Sequence, residues 1–327
     1  RERRPSRGGH PSLRPRVAGR LCRGPSALSS RGCRLEALLS LSLSHIAMDP
    51  LCADVLEHLP TTPDGQLHPH HYFTKRRNAA GALLWDALVN ERFNGLGSLL
   101  PEGNCTMLYV GANVDGFDGR VVRKRHRCFV HMLEPVPSFY ALLARRFHRE
   151  PGFALHNFGV GNRSTTMQLT GRTAGQGTSY QSAVAVSDPK DAQRRGSQLL
   201  RILALEETLR TLQLRRVDLL HLNCEGCEYE LLSSLTARSA LAQRFGVVQF
   251  GTHNYPGDGV RTIVPQYCAI RRALSRTHAL QWGTPFVWER WTRRRECLAA
   301  SDCGTSPSRR AGPGAHSSRT RSKAATH

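Results

Sequence analysis

The chain reads as an α/β fold: a mostly parallel sheet with helices on both faces, preceded by an N-terminal helical cap and flanked by two disordered basic tails. Three observations predict it. From residue 107 onward, short apolar runs of strand length alternate with segments of helical period. The run VDLLHL (217–222) is almost continuously apolar, as a strand covered on both faces requires. The basic charge, +21 in all, gathers at the ends: residues 1–34 carry a net +9 and residues 292–327 a net +6, leaving only +6 for everything between.

Residues 1–47 are rich in Arg and Ser and nearly free of acid, and the first methionine is Met48. That composition suits an organellar transit segment or equally an incomplete or misassigned upstream reading, and under either the stretch stays outside the fold. Residues 48–106 form the expected cap, with helices over MDPLCADVLEHL and NAAGALLWDALVNERF separated by a TPDG turn. His68, His70 and His71 between them lack a second Cys/His pair at ligand spacing, so a solvent-facing loop is expected and no metal.

The main domain is expected over 107–292. MLYV (107–110) and RCFVHML (127–133) are strands, and PSFYALLARRF (137–147) is a helix with Phe139, Leu142, Leu143 and Phe147 on one face. FALHNF and TTMQL are short strands, LEETLRTL a short helix, and VDLLHL the buried strand. A single helix over 226–245, the strand GVVQF, a helix over 264–277 and the aromatic strand TPFVWERW complete the order. Ligands of such sheets sit at the carboxyl ends of the strands. The Ser-, Arg-, Gly- and Pro-rich residues 293–327 form the second tail.

Composition excludes several classes. A hydrophobic content of 39% supports a real core, so the chain is not fibrous. Ten cysteines without framework spacing predict mostly free thiols. No apolar run reaches the roughly 18 residues of a membrane span. The expectation is therefore a soluble protein of the cytoplasm or an organelle.

The loop YVGANVDGFDGR (109–120) carries the first chemistry. Gly111, Gly116 and Gly119 do not fall in dinucleotide spacing, and Asp115 and Asp118 stand where a pyrophosphate would dock. Glu134 ends the second strand 23 residues after Gly111, near the offset at which an acid meets a ribose hydroxyl pair. A nucleoside without phosphates and with an ammonium, such as S-adenosylmethionine, suits that charge better than NAD.

LYVGANVDG, HMLEPVPSFYALL and VDLLHLNCEGCEYELL, taken in this order, resemble the FkbM family of S-adenosylmethionine-dependent methyltransferases. The similarity runs from about Met107 to about His253 and implies a Rossmann-like class I methyltransferase sheet. It further implies that Gly111, Ala112 and Asn113 line the methionine end of the cofactor, Glu134 its ribose, and Asn157 and Phe158 the adenine, while Glu225, Gly226 and Glu228 keep the second motif. Four positions depart from the family pattern: Tyr109 and Asn223 replace acids, His221 a lysine, and Gly251 a glutamate. Asp115 is read as moving the lost acid of position 109 into the loop, which adds it to the cofactor-binding set. Cys224 and Cys227 fall on apolar family positions and are expected as small buried thiols rather than a redox pair or a zinc half-site.

The implied reaction is methylation of a hydroxyl on a small molecule or glycan, with Glu225 and His253 as candidate bases; His253 reads equally as a satisfied histidine at a strand end. Two alternatives stand beside it. The basic tails suit a nucleic-acid methyltransferase, although no N/D-P-P-Y/F motif or RNA-binding module is present, and the altered motif residues suit a non-catalytic cofactor-binding scaffold.

Overall fold

The computed structural model of the chain describes residues 50–57, 90–169, 183–185, 198–252 and 260–298. The first expected tail, the His68–His71 segment and all but the last residues of the second cap helix lie outside them, as do residues 299–327 and His253.

Eleven strands and seven α-helices are described. The strands are β1 (Thr106–Val110), β2 (Phe129–Leu133), β3 (Phe153–His156), β4 (Gly159–Gly161), β5 (Thr165–Leu169), β6 (Ala183–Ala185), β7 (Leu199–Ala204), β8 (Val217–Leu222), β9 (Phe245–Gly251), β10 (His278–Thr284) and β11 (Trp288–Arg293). The helices are α1 (Ala53–Glu57), α2 (Phe117–His126), α3 (Pro137–Phe147), α4 (Leu205–Thr211), α5 (Glu228–Thr236), α6 (Ser239–Ala242) and α7 (Val260–Ser275). Seven strands form one sheet in the order β10-β11-β9-β8-β1-β2-β3. The five from β9 to β3 are parallel, and β11 runs antiparallel to both of its neighbours. The chain leaves β1 toward β2 and β3, then returns on the other side of β1 to build β8 and β9. That reversal between β1 and β8 opens a crevice at their carboxyl ends.

Both faces of this sheet are covered. Met107, Tyr109, Val130, Met132, Leu219 and Val247 share one core with Val122 of α2 and with Leu143 and Phe147 of α3. Leu108, Val110, Leu220, Leu222, Val248 and Phe250 alternate with them and are buried as fully on the opposite side. At roughly 1.5–3 kcal/mol for each large apolar side chain removed from water, this two-sided burial dominates the stability of the sheet. Phe139 and Leu142 depart from the expected inner face of α3: Leu142 is 48% exposed, and Phe139 packs instead against a smaller core formed by Val136, Met167, Leu169, Leu200 and Ile202.

Three expectations are corrected here. The single helix over 226–245 is two, α5 and α6, because Arg238 takes an extended conformation between them. A second sheet, β4-β7-β5-β6, was not anticipated beyond its TTMQL strand, and neither was β10. The expectation of free thiols fails for six cysteines: Cys52–Cys268, Cys105–Cys128 and Cys224–Cys227 are disulfides. The physical reason is the fold itself, which joins residues as much as 216 positions apart in sequence. Cys52–Cys268 fastens α1 to α7, and Arg271 of α7 reinforces the joint with two bonds to Asp54 at 2.5 and 3.1 Å. The buried Glu289 of β11 accepts bonds from Tyr267 and Trp291 at 2.7 and 2.8 Å and pairs with the same arginine.

Candidate active site

The crevice between β1 and β8 holds about 720 Å³ of empty space, its open mouth included. Three motifs far apart in sequence converge on it. Gly111 and Asn113 come from the loop after β1, Glu134 to Val136 from the end of β2, and Asn223 to Glu225 with Cys227 from the loop after β8. Phe139, Gly159, Val160, Leu169, Leu200 and Ile202 complete an apolar wall. Among the described residues of this lining, Glu134 and Glu225 carry charge and none is a lysine or arginine.

The loop after β1 has one permitted shape. Gly111 has φ +86°, and a Cβ there would stand 2.1 Å from the Asn223 carbonyl oxygen, so the two strand ends approach backbone to backbone only because side-chain atoms are missing. Gly111 and Ala112 donate to the Leu133 carbonyl at 3.0 and 3.1 Å. Asn113 adopts a left-handed φ of 57°, which asparagine tolerates, and its side-chain oxygen accepts from the Val114 N–H at 2.6 Å.

Glu134 is the centre of the site. It is 4% exposed, and its two carboxylate oxygens accept the backbone N–H groups of Asn113 and Val136 at 2.8 and 2.9 Å. Burial raises its pKa to about 7 against the opposing pull of those two bonds. A carboxylate has about four acceptor positions, so capacity remains for donors arriving from the cavity.

The loop after β8 is held from within. Glu225 and Gly226 both have positive φ, 56° and 115°. Glu228, fully buried at the start of α5, accepts the N–H groups of Cys224 and Gly226, each at 2.8 Å. Glu228 is thus a loop anchor, and Glu225 is the acid of this motif that reaches the cavity wall.

The other expected site residues separate. Ala112 belongs to the core beneath the loop. Asp115 is absent from the cavity lining and accepts the Phe117 N–H at 3.2 Å at the start of α2. Asn157 stands behind Glu134 and donates to its carbonyl at 2.9 Å, while Phe158 is buried against His156; Gly159 and Val160, the next two residues, line the cavity instead. The second sheet's contribution, Leu169, Leu200 and Ile202, had no motif to announce it.

Two of the altered positions, Tyr109 and His221, belong to one connected group. Tyr109 and His221 are cross-strand partners with their rings edge to face. His221 meets Asp118 at 2.8 Å through Nε2 and Gln249 at 3.2 Å through Nδ1, and Arg92 meets the other Asp118 oxygen at 2.5 Å. Burial pushes the Asp118 carboxyl up, but His221 and Arg92 outweigh it and hold it below its ordinary value. Burial likewise keeps His221 below its own, so the pair is a carboxylate accepting from a neutral imidazole. Asp118 thus serves the packing under the site through His221 and Arg92, and neither Asp115 nor Asp118 lines the cavity.

Among solved structures, the N-terminal domain of human METTL16 aligns at 7% identity over 76% of this chain and 92% of that one, with a TM-score of 0.33. The SAH-bound methyltransferase PaMTH1 of Podospora anserina aligns at 12% identity over 84% and 99%, with a TM-score of 0.30. A protein of Bordetella parapertussis described as a possible exported protein aligns at 11% identity over 83% and 99%, with a TM-score of 0.33. Likeness this distant says nothing about substrate. No curated protein matches in sequence. Residues 110–277, just over half the chain and all three loops of the cavity, match the methyltransferase FkbM domain, and the chain belongs to that family.

Proposed function

We propose that the chain is an S-adenosylmethionine-dependent methyltransferase that modifies a hydroxyl of a small molecule or glycan, with the cofactor in the cavity between β1, β2 and β8. Family membership supports methyl transfer. The observation that carries the cofactor is the charge of the cavity lining, two acids and no base among its described residues. A dinucleotide would bring a pyrophosphate to a wall whose described residues offer acids and no cation, whereas a cationic sulfonium suits that charge.

The residues present fit such a group. Glu134 would accept a ribose hydroxyl pair with its remaining lone pairs, and Val136, Phe139, Val160 and Ile202 offer an apolar slot for the base. Asn113 and Asn223 would meet the polar amino-acid end. The cofactor supplies an electrophilic methyl group on a cationic sulfur. Catalysis by the chain is then largely positioning and exclusion of water. Glu225, on a loop fixed by Glu228, is the described residue suited to take the acceptor's proton, a role worth on the order of a hundredfold; His253 remains a second proposed base.

Calorimetric titration of the full chain with S-adenosylmethionine and with NAD tests this reading. Saturable binding of the first and none of the second is expected. Binding of NAD alone would sink the cofactor assignment.

A further inference from the structure

We propose that the Cys224–Cys227 disulfide is a thiol-exchange site in the cavity wall, through which a small dithiol lowers affinity for the cofactor. The inference rests on reading that cavity as the cofactor site. Three observations single this disulfide out. Cys224 and Cys227 both line the cavity. Cys224 is only half-buried, whereas the four cysteines of the other two disulfides among the described residues are 0–2% exposed. The bridge spans three residues and closes the loop that carries Glu225.

The exchange balances as follows. A thiolate of the dithiol attacks Sγ of Cys224, the S–S bond breaks, and its electron pair leaves on Sγ of Cys227. Cys227 sits at the start of the nine-residue helix α5, where free N–H groups favour a departing anion. The reagent's second thiol, once deprotonated, then attacks its own sulfur in the mixed disulfide and releases Cys224. Two electrons pass to the cysteine pair, the two protons given up by the dithiol finish on the two cysteines, and the dithiol becomes a cyclic disulfide.

Affinity falls because the bridged loop is preorganised. The Asn223 N–H donates to the Val110 carbonyl at 3.0 Å, and a Cβ on Gly111 would stand 2.8 Å from Cα of Cys224. Movement of Cys224 therefore shifts Asn223, Glu225 and the floor of the cavity together. Glu228 still holds two N–H groups of the loop after reduction, so the fold survives while the loop gains freedom that binding must remove again.

The test uses the full chain. Under mild dithiothreitol followed by iodoacetamide, mass spectrometry should find Cys224 and Cys227 alkylated before Cys52, Cys105, Cys128 and Cys268. Affinity for S-adenosylmethionine should fall about tenfold, a change of ~1.4 kcal/mol, and return on reoxidation. The C224S/C227S variant should bind like the reduced chain and ignore the reductant. Equal affinity in the two redox states overturns the proposal, as does alkylation of the buried pairs first. Absence of binding in both states overturns the cofactor assignment itself, and selective alkylation then still reports whether the site exchanges.

Discussion

Glu134, to which the proposed function gives the ribose, and Gly111, on which the close approach of two strand ends depends, each give a test. Glu134 has a folded-state pKa of about 7 against an ordinary 4.5. The folded chain therefore holds this proton more tightly than the unfolded chain does, and the contribution to stability is present below about pH 4.5 and lost as pH rises through about 7. Cofactor affinity should move the other way, because ribose hydroxyls donate best to a carboxylate. Titrations between pH 5.5 and 8 should show affinity rising with pH, and Glu134→Gln should flatten the curve and lower affinity at pH 8 by about tenfold to a hundredfold, the worth of a charge-assisted bond. A wild-type curve flat across pH 7 would count against the role of Glu134. Gly111→Ala is a structural change instead. At φ +86° with 2.1 Å to the Asn223 oxygen, the added methyl group has nowhere to go, and a loss of roughly 3 kcal/mol or more is expected in urea unfolding.

Between elements, the Arg92–Asp118–His221 chain joins the segment before β1 to α2 and β8. Asp118→Asn leaves a buried guanidinium, 7% exposed in its side chain, without its counter-charge. That should cost about 3–5 kcal/mol, whereas replacing the pair by Arg92→Met with Asp118→Leu should cost much less, since breaking a buried pair is worse than removing it. Denaturant melts of both variants check the order, and the reverse order would mean that Arg92 finds water. This chain also shows what could be read in advance and what could not. The order β1, β2, α3, β8, β9 was legible because each strand is a short apolar run and α3 has a helical period. The Glu134 position was legible from its offset after Gly111, since strand length and crossover geometry fix that spacing. The partner of His221 was not, because Asp115 and Asp118 are both acids near the start of α2, and only the helical turn decides that Asp118 points inward. Strand β10, HALQWGT, escaped notice because its pairing with β11 is irregular between Leu280 and Trp282 and its middle is exposed. Cys52–Cys268 and Cys105–Cys128 escaped because pairing across 216 or 23 residues depends on tertiary contact rather than spacing, whereas Cys224–Cys227 was visible as a C-x-x-C and was set aside because both positions read as apolar.

At the scale of the whole molecule, the boundaries of the folding unit follow from what crosses them. The N-terminal segment is tied in by Cys52–Cys268 and by Asp54–Arg271, so the proposed cap cannot be removed without cutting into α7's contacts. At the other end, a boundary at 292 falls inside β11. It would delete Arg293, which donates to the Gln243 carbonyl at 2.5 Å, and Arg294, whose backbone N–H and Nε reach the Thr277 and Ser275 carbonyls at 2.9 Å each. A chain trimmed to 49–298 keeps all of these bonds and discards ends that carry most of the net positive charge. It should melt in one cooperative transition within about 3 °C of the full chain, and it should retain affinity for S-adenosylmethionine. A chain ending at 292 should melt lower by roughly 5–10 °C, since three bonds at about 1 kcal/mol each are lost. The same pair of chains separates the acceptor classes. If the basic ends serve a nucleic-acid substrate, the full chain should bind RNA with an affinity that falls steeply with salt, and the 49–298 chain should lose both the affinity and the slope. For a small-molecule or glycan acceptor, trimming should leave methyl transfer unchanged, and equal turnover by the two chains on RNA would refute a role for the ends altogether.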